Sequence, residues 1–426
     1  MKKVLIFPAG SEVGLEIFEC LKDSIHFEPI GATSVKDHSS FLFPKLFSLP
    51  FFSDPDFIAE LSQLIEKENI SYVFSTMDEV LYILKKSEKF IGANVIGPPL
   101  ETIEIANNKE KTYNYFQSYI RVPRIVKSKP KKEEYPLFLK PKVGYGSRGT
   151  HIIESEEDLI YWNHKCTDHL LVEYLPGEEY TIDCFTSSKG ELLYCSPRGR
   201  DRVRIGISVS TSFASIEIRE ELQPIAKKIN ESIELRGAWF FQMKRAKSHE
   251  LCLLEIGLRI AGSSSLNRLR DVNLPLLTLF DQEGIPVSIN PLLISGAIDR
   301  AFSTKAKLEL EFDRLYIDLD DCLIIENHLN PKAVELVVNC RNAKKEVILL
   351  TKHRYDLTAT LEEFRILAFF DQIIHLGRNS KKSDFILPKS LFIDDSFAER
   401  QGANSLPNNV FSFGVHSLSL LNSSFL

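Results

Sequence analysis

The sequence predicts a multidomain chain of α/β and α+β class, on three observations. The first hundred residues alternate short apolar runs with amphipathic ones. The pattern turns mixed from about residue 107, and a second alternation opens near residue 312. Alternating strand and helix patterns imply a parallel, doubly wound sheet, because each parallel crossover needs a helix to bring the chain back. At 426 residues the chain is also too long for a single core. Three regions are expected, 1–106, 107–305 and 312–426, the last two separated by the charged stretch "STKAKLELEFD".

In the first region "KVLIFPA", "FEPIGAT", "YVFST" and "NVIGPP" read as strands, with "SEVGLEIFECLKD" and the amphipathic "DFIAELSQLIEKENI" as helices. The turn "PAGSEVG" (8–14) is placed to seat an anion at a helix start, although a plain tight turn explains it as well. In the third region "RLYIDLD", "KKEVILLTKH" and "SLFIDDS" read as strands.

Composition narrows the class. Hydrophobic residues make up 44% and charged residues 26%, with a net charge of −6, which argues against a general nucleic-acid binder. The seven cysteines are scattered and form no C-x-x-C pair, as expected of buried, reduced thiols. No run approaches the roughly 18 apolar residues of a membrane helix. "MKKVLIFPAG" reads as a buried strand rather than a signal peptide. A cytoplasmic protein without membrane or nucleic-acid partners is expected.

The stretch "PLFLKPKVGYGSRGT" (136–150) carries the first chemical signal. Lys140 ends a strand, and Gly144, Gly146, Ser147 and Gly149 follow as a loop. A Walker P-loop puts its lysine after the glycines. The order here suits a nucleotide held between two sheets, the lysine neutralising phosphate and backbone N–H groups closing over it. "HLLVEYLPGEEYTIDCF" (169–185) adds two strands around a Pro-Gly turn and the acids Glu178 and Glu179. Arg198, Arg200, Arg202 and Arg204 alternate, which on one extended strand forms an anion-binding row. "GAWFFQMKRAKSHELCLLEIGLRIAGSSS" (237–265) brings Gln242, Glu255 and Arg259, a set able to hold a hard cation and a phosphate together.

As an ordered set over residues 1–300, these stretches resemble the ATP-grasp superfamily, in its carboxylate–amine ligase and carbamoyl-phosphate-synthase-like branch. The resemblance implies a Rossmann-like pre-ATP-grasp subdomain (1–106) and an ATP-grasp domain (107–305) with a lid at about 112–185. It implies that Lys109 and Lys140 contact ATP phosphates under the 144–149 lid loop, that Glu173 and Leu175 offer backbone groups to adenine, and that Glu179 binds ribose. Arg200 belongs on the phosphate or substrate side, Gln242 and Glu255 hold Mg²⁺ (with Mn²⁺ as an alternative), Arg259 stabilises the transferred phosphoryl group, and Ser263, Ser264 and Ser265 help seat an acyl substrate. Where many members read Glu-x-Asn-x-Arg, this chain reads Glu255-Ile-Gly257-Leu-Arg259, which removes one metal ligand.

In "RLYIDLDDCLI" (314–324), Asp318, Asp320 and Asp321 crowd the end of an apolar strand. Such a cluster is unfavourable unless a cation offsets it. Thr351 ends a second strand, Asp394 and Asp395 end a third, and Lys381 and Lys382 lie between these two. This set resembles the haloacid dehalogenase (HAD) phosphatases over about residues 312–426, in a Rossmannoid form with no room for a large cap. The resemblance implies Asp318 as nucleophile, Asp320 as acid and base, Thr351 and Lys382 as phosphate ligands, and Asp318, Asp394 and Asp395 as Mg²⁺ ligands.

The expected activity is therefore bifunctional: an amide-forming ligase working through an acyl phosphate, joined to a phosphatase working through an aspartyl phosphate. The expected partners are a small carboxylate, an amine and a phosphomonoester, with a homodimer as the default assembly. Two alternatives stay open: a phosphatase regulated by ATP binding, and an ATP-grasp kinase acting on a hydroxyl.

Overall fold

A computed structural model describes residues 1–423 apart from 145, 302–305, 307, 309 and 408. Tyr145 of the glycine loop and part of the charged stretch 303–313 thus lie outside the described residues. Two compact units divide the chain, Met1–Ala301 and Phe302–Leu426.

The first unit opens with a parallel sheet of β1 (Lys2–Phe7), β2 (Phe27–Thr33), β3 (Leu46–Ser48), β4 (Ile70–Ser75) and β5 (Asn94–Ile96), in the order β3-β2-β1-β4-β5. The period of two explains why "KVLIF" is apolar throughout: Leu5 and Phe7 enter one core layer, Val4 and Ile6 another. Helix Glu12–Leu21 begins at Ser11, whose hydroxyl accepts from Gly14 N–H at 2.9 Å, so the predicted turn is at least a capped helix start.

Next comes a small antiparallel sheet of β6 (Leu137–Pro141), β7 (His151–Ile153) and β8 (His169–Glu173), in the order β7-β6-β8. Then β9 (Glu179–Thr186), β10 (Leu192–Gly199), the short β11 (Arg202–Arg204) and β12 (Ile207–Ser212), β13 (Gly237–Arg245), β14 (Leu251–Gly257) and β15 (Ala297–Asp299) build two more sheets, β10-β9-β13-β14 and β11-β12-β15. Helix Ile216–Ser232 buries Leu222, Ala226 and Ile229, spaced along one face, against Ile182, Phe241 and Met243 of the four-stranded sheet. Covering that face commits the opposite one, with Glu179, Gln242 and Lys244, to a cleft.

β14 reaches the same result through a bulge. Gln242 pairs with Glu255 but Met243 pairs with Leu253, so Leu254 is the extra residue. Before it Leu251 and Leu253 enter the apolar layer; after it Ile256 does, and Glu255 is turned to the cleft. Without the bulge, the parity of the strand would bury this carboxylate in the apolar layer.

The second unit is one parallel sheet of β16 (Arg314–Ile317), β19 (Glu346–Thr351), β20 (Gln372–His375), β21 (Ser390–Ile393) and β22 (Val410–Phe413), in the order β20-β19-β16-β21-β22. A hairpin of β17 (Ile324–Ile325) and β18 (His328–Leu329) follows β16. Helix Pro331–Asn342 then buries Ala333, Leu336, Val337 and Cys340, an i, i+3, i+4, i+7 stripe. The strand order reverses at β16, the first strand in sequence, and open sheets of this kind bind ligands at the carboxyl ends beside that reversal.

Candidate active sites

In the first unit one cleft is lined from the small sheet by Lys140 and Glu173, and from the four-stranded sheet by Glu179, Gln242, Lys244 and Glu255. Lys109, Gly144, Gly146, Ser147, Leu175 and Arg200 line it too. Gly149 is absent from that lining; its carbonyl oxygen lies 3.1 Å from His169 Nε2.

Lys140 is 6% exposed. Its ammonium donates to the Tyr113 hydroxyl, which passes its own proton to Leu254 O at 2.9 Å. Burial and the neighbouring charge of Lys109 push the ammonium down to about 7, against the pull of Glu255 and Glu179. Lys109 sits in the first turn of helix Lys109–Phe116 and donates to Gly144 O at 2.8 Å, tethering the glycine loop. The loop rests on a second turn: a Cβ at Gly206 would lie 2.3 Å from Gly146 C, so only glycine permits this approach, and its φ is +72°. Arg200 steadies that turn by donating to Gly206 O at 2.8 Å.

Three expectations need correction. The arginine row does not form, because the chain leaves β10 at Gly199 and restarts as β11 in another sheet. Arg198 is buried against Asp183 at 2.7 Å, Arg200 pairs with Glu179 at 2.8 Å, and Arg202 is exposed against Asp299 at 2.6 Å. Glu173 has only part of its backbone free, since its N–H donates to Arg124 O at 3.0 Å and its carboxylate takes Arg121 at 2.6 Å. Arg259 is held by Asp78 at 2.9 Å, so reaching a phosphoryl group requires breaking or sharing that pair.

Gln242 and Glu255 face each other across β13 and β14, and neither side chain has a hydrogen-bond partner among the described residues. One carboxylate and one amide oxygen fit a single Mg²⁺, which takes its remaining ligands from phosphate and water. The position of the further family ligand offers none here. A Cβ at Gly257 would lie 2.2 Å from the Phe240 ring, so an aromatic side chain occupies the room a longer ligand would need. Beyond Gln242 and Glu255 a further cavity takes in Arg198, Arg259, Ser263 and Arg300. Ser263 accepts from Arg198 at 2.8 Å. Ser264 is buried with an unpartnered hydroxyl, and Ser265 sits in the 3₁₀ turn Ser264–Arg270.

In the second unit, Asp318 follows β16, Thr351 ends β19 and Asp394 follows β21, which brings all three to one edge. Lys382, 2% exposed, lies 2.8 Å from Asp318 Oδ1 and 2.6 Å from Asp394 Oδ2, while Lys381 is exposed. Burial disfavours the Lys382 charge, yet the two carboxylates hold its pKa above the ordinary value. Burial pushes Asp318 up to about 6, opposed by Lys382 and reinforced by Asp394. Burial likewise raises Asp394, against Lys382. Asp318 Oδ1 makes no aligned hydrogen bond, and one oxygen from each of Asp318, Asp394 and Asp395 lies within 4.8 Å of the others. Three carboxylate oxygens gathered at one point against a single lysine ammonium fit a divalent cation.

Asp320 is exposed and held by His353 Nδ1, 2.8 Å and 3.0 Å from its two oxygens. The ring's Nε2 lies 3.0 Å from the Thr360 hydroxyl, whose proton goes to Asp356 O at 3.0 Å. The ring thus orients the Asp320 carboxylate from one side while Thr360 fixes the ring from the other. Sequence reading missed His353, Tyr113, Lys244 and Phe240. The available signals were spacings: His353 two residues past Thr351, Tyr113 one helical turn past Lys109, and Phe240 and Lys244 flanking Gln242 on one strand face.

Residues 165–295 match the family described as ATP-grasp in the biosynthetic pathway with Ter operon. Among solved structures, the biotin carboxylase of Campylobacter jejuni in complex with β,γ-ATP is 18% identical, with a TM-score of 0.58 over 68% of this chain and 72% of that one. The L-amino acid ligase of Bacillus licheniformis is 19% identical, with a TM-score of 0.55 over 68% and 75%. N5-carboxyaminoimidazole synthetase of Staphylococcus aureus, complexed with ADP, is 15% identical, with a TM-score of 0.58 over 70% and 81%. No curated protein matches the sequence. At these identities the likeness shows the fold: a mixed α/β ATP-grasp fold with parallel and antiparallel sheets. No described helix is long and apolar enough to cross a membrane.

Proposed function

We propose that the first unit is an ATP-dependent carboxylate–amine ligase, with residues 1–106 as its pre-ATP-grasp subdomain and 107–305 as its ATP-grasp domain, and that residues 312–426 form a capless HAD-type phosphatase. The observation that carries the ligase half is the meeting of Lys109, Lys140, Gln242 and Glu255 in one cleft between two antiparallel sheets. Proteins of similar fold are described with ATP analogues and ADP bound, and one is described as an amino acid ligase. In this reading Lys109 and Lys140 hold the phosphates, the glycine loop closes on them, and Glu255 with Gln242 holds one Mg²⁺. Bound there, the ion would supply neutralisation of phosphate charge. A substrate carboxylate oxygen bonds to the γ-phosphorus while the bond to ADP breaks. An amine nitrogen then bonds to the acyl carbon, inorganic phosphate departs, and the amine's proton leaves to solvent. Positioning and charge account for most of the catalysis. Arg259, released from Asp78, would stabilise the phosphoryl group in flight, and the cavity with Ser263 would receive the acid.

In the second unit Asp318 attacks a phosphomonoester, forming an aspartyl phosphate while the ester P–O bond breaks. The leaving oxygen takes its proton from the Asp320 carboxyl, which His353 orients. The Asp320 carboxylate then removes a proton from water, whose oxygen attacks phosphorus and frees Asp318. Thr351 and Lys382 hold the phosphate oxygens, and Asp394 and Asp395 complete the Mg²⁺ set with Asp318. His353 is a positioning residue here.

The filled space at Gly257 favours one second reading, in which ATP binds without turnover and regulates the phosphatase. Incubating wild-type and Asp318→Asn protein with ATP, Mg²⁺ and mixtures of acids and amines separates the two. The ligase reading expects ADP release dependent on acid and amine, with amide product by mass spectrometry. ATP that binds but is not turned over under any mixture would favour regulation, and a stable phosphate ester in ³¹P NMR would favour a kinase.

A further inference from the structure

Beside the second unit's site, two neighbouring strand ends open a groove lined by Lys352, His353 and Arg354 after β19 and by His375, Gly377 and Arg378 at the end of β20. The two sides are tied together: Leu376 N–H donates to Thr351 O at 2.8 Å, and His375 Nε2 lies 2.8 Å from His353 O. No acidic side chain lines the groove. Lys352 is engaged with Glu399, but Arg354 and Arg378 are exposed and have no polar side-chain partner among the described residues. Two guanidiniums without a carboxylate partner in one groove offer paired donors suited to an anion with two or more oxygens.

The position of the groove shows which part of a substrate would enter it. His353 forms its wall and also holds Asp320, the group that protonates the departing oxygen in the phosphatase reading. The transferred phosphoryl group belongs with Lys382, Thr351 and Asp318, none of which lines the groove. Whatever leaves with the oxygen must therefore extend past Asp320 and His353 toward Arg354 and Arg378. Tyr355, 77% exposed, packs edge-on against the His353 ring at 5.6 Å.

We propose that the second unit acts on phosphomonoesters whose leaving group carries a second anionic group, a carboxylate or another phosphate, received by Arg354 and Arg378. This rests on the phosphatase reading. The test compares kcat/KM of the full chain with Mg²⁺ for p-nitrophenyl phosphate, which has no second anion, 2-phosphoglycolate, whose second anion is a carboxylate, and fructose 1,6-bisphosphate, whose second anion is a phosphate. At least one doubly anionic substrate is expected to exceed p-nitrophenyl phosphate by about tenfold or more, the scale of one or two charge-assisted hydrogen bonds. Arg354→Gln and Arg378→Gln should each reduce that ratio, and together abolish it. The ratio should also decline with added salt, as expected of exposed charges. Binding of the preferred substrate to Asp318→Asn protein, measured by calorimetry, should weaken in parallel when the arginine changes are added. Equal turnover of all three substrates, or a preference that survives the double change in folded protein, overturns the groove assignment alone. Hydrolysis of none of them by the wild type overturns the phosphatase reading and this inference with it.

Discussion

Lys140 shows how much of the chemistry is set by single side chains. It has no carboxylate directly against it, only a tyrosine hydroxyl, and burial takes its ammonium down to about 7. A bound polyphosphate stabilises the charged form and raises that value. Above about pH 7 nucleotide binding must then take up a proton, and affinity must fall as pH rises. Calorimetry at about pH 8 in two buffers of different ionisation enthalpy should report this uptake, and Lys140→Met should abolish it along with most of the affinity. Gly257 carries a second residue-scale prediction. Adding a methyl group there meets the Phe240 ring at 2.2 Å, so Gly257→Ala should lower stability by about 1–3 kcal/mol in denaturant melts. Phe240→Leu should relieve part of that loss, because the two residues share one space. The sequence displays Gly257 as a missing ligand but does not reveal that Phe240 fills the gap, since that contact crosses between two strands.

At the scale of elements, the parallel strands were readable because burial on both faces makes them continuously apolar, as in "KVLIF" and "YVFST". β3 was not, because its three residues, Leu46–Ser48, lie between Pro44 and Pro50 in a stretch that reads as loop. The arginine row failed for another reason: alternation implies one face only while the strand continues, and β10 ends at Gly199. Glu255 is the converse case. Its aim depends on the bulge at Leu254, and the doubled leucines in "CLLEIG" were the only trace of it. The contact between the glycine loop and the β11–β12 turn gives an element-scale prediction. In Gly206→Ala the added Cβ strikes the Gly146 carbonyl carbon at a positive φ, so the loop must lift. Nucleotide affinity should fall roughly tenfold, and amide exchange across residues 143–150 should quicken; unchanged exchange there would mean the loop does not rest on this turn.

Across the whole molecule, each unit has its own core: Leu5, Ile182 and Phe241 belong to one, Leu315, Leu349 and Ile393 to the other. Two unfolding transitions are therefore expected in calorimetry. MgATP should raise one of them and Mg²⁺ with orthovanadate the other, each by an amount set by saturation, about 2.7 kcal/mol at a hundredfold excess over Kd. Lys140→Met should cancel only the first shift and Asp318→Asn only the second. The central claim is that ATP lies between the two antiparallel sheets of the first unit, and the most direct measurement is a crystal structure of the full chain with Mg²⁺ and a non-hydrolysable ATP analogue. Phosphate oxygens within hydrogen-bond reach of Lys109 and Lys140, and one ion on Glu255, are the expected result. A nucleotide bound elsewhere, or Lys140 still turned to Tyr113 with no phosphate in reach, would contradict it.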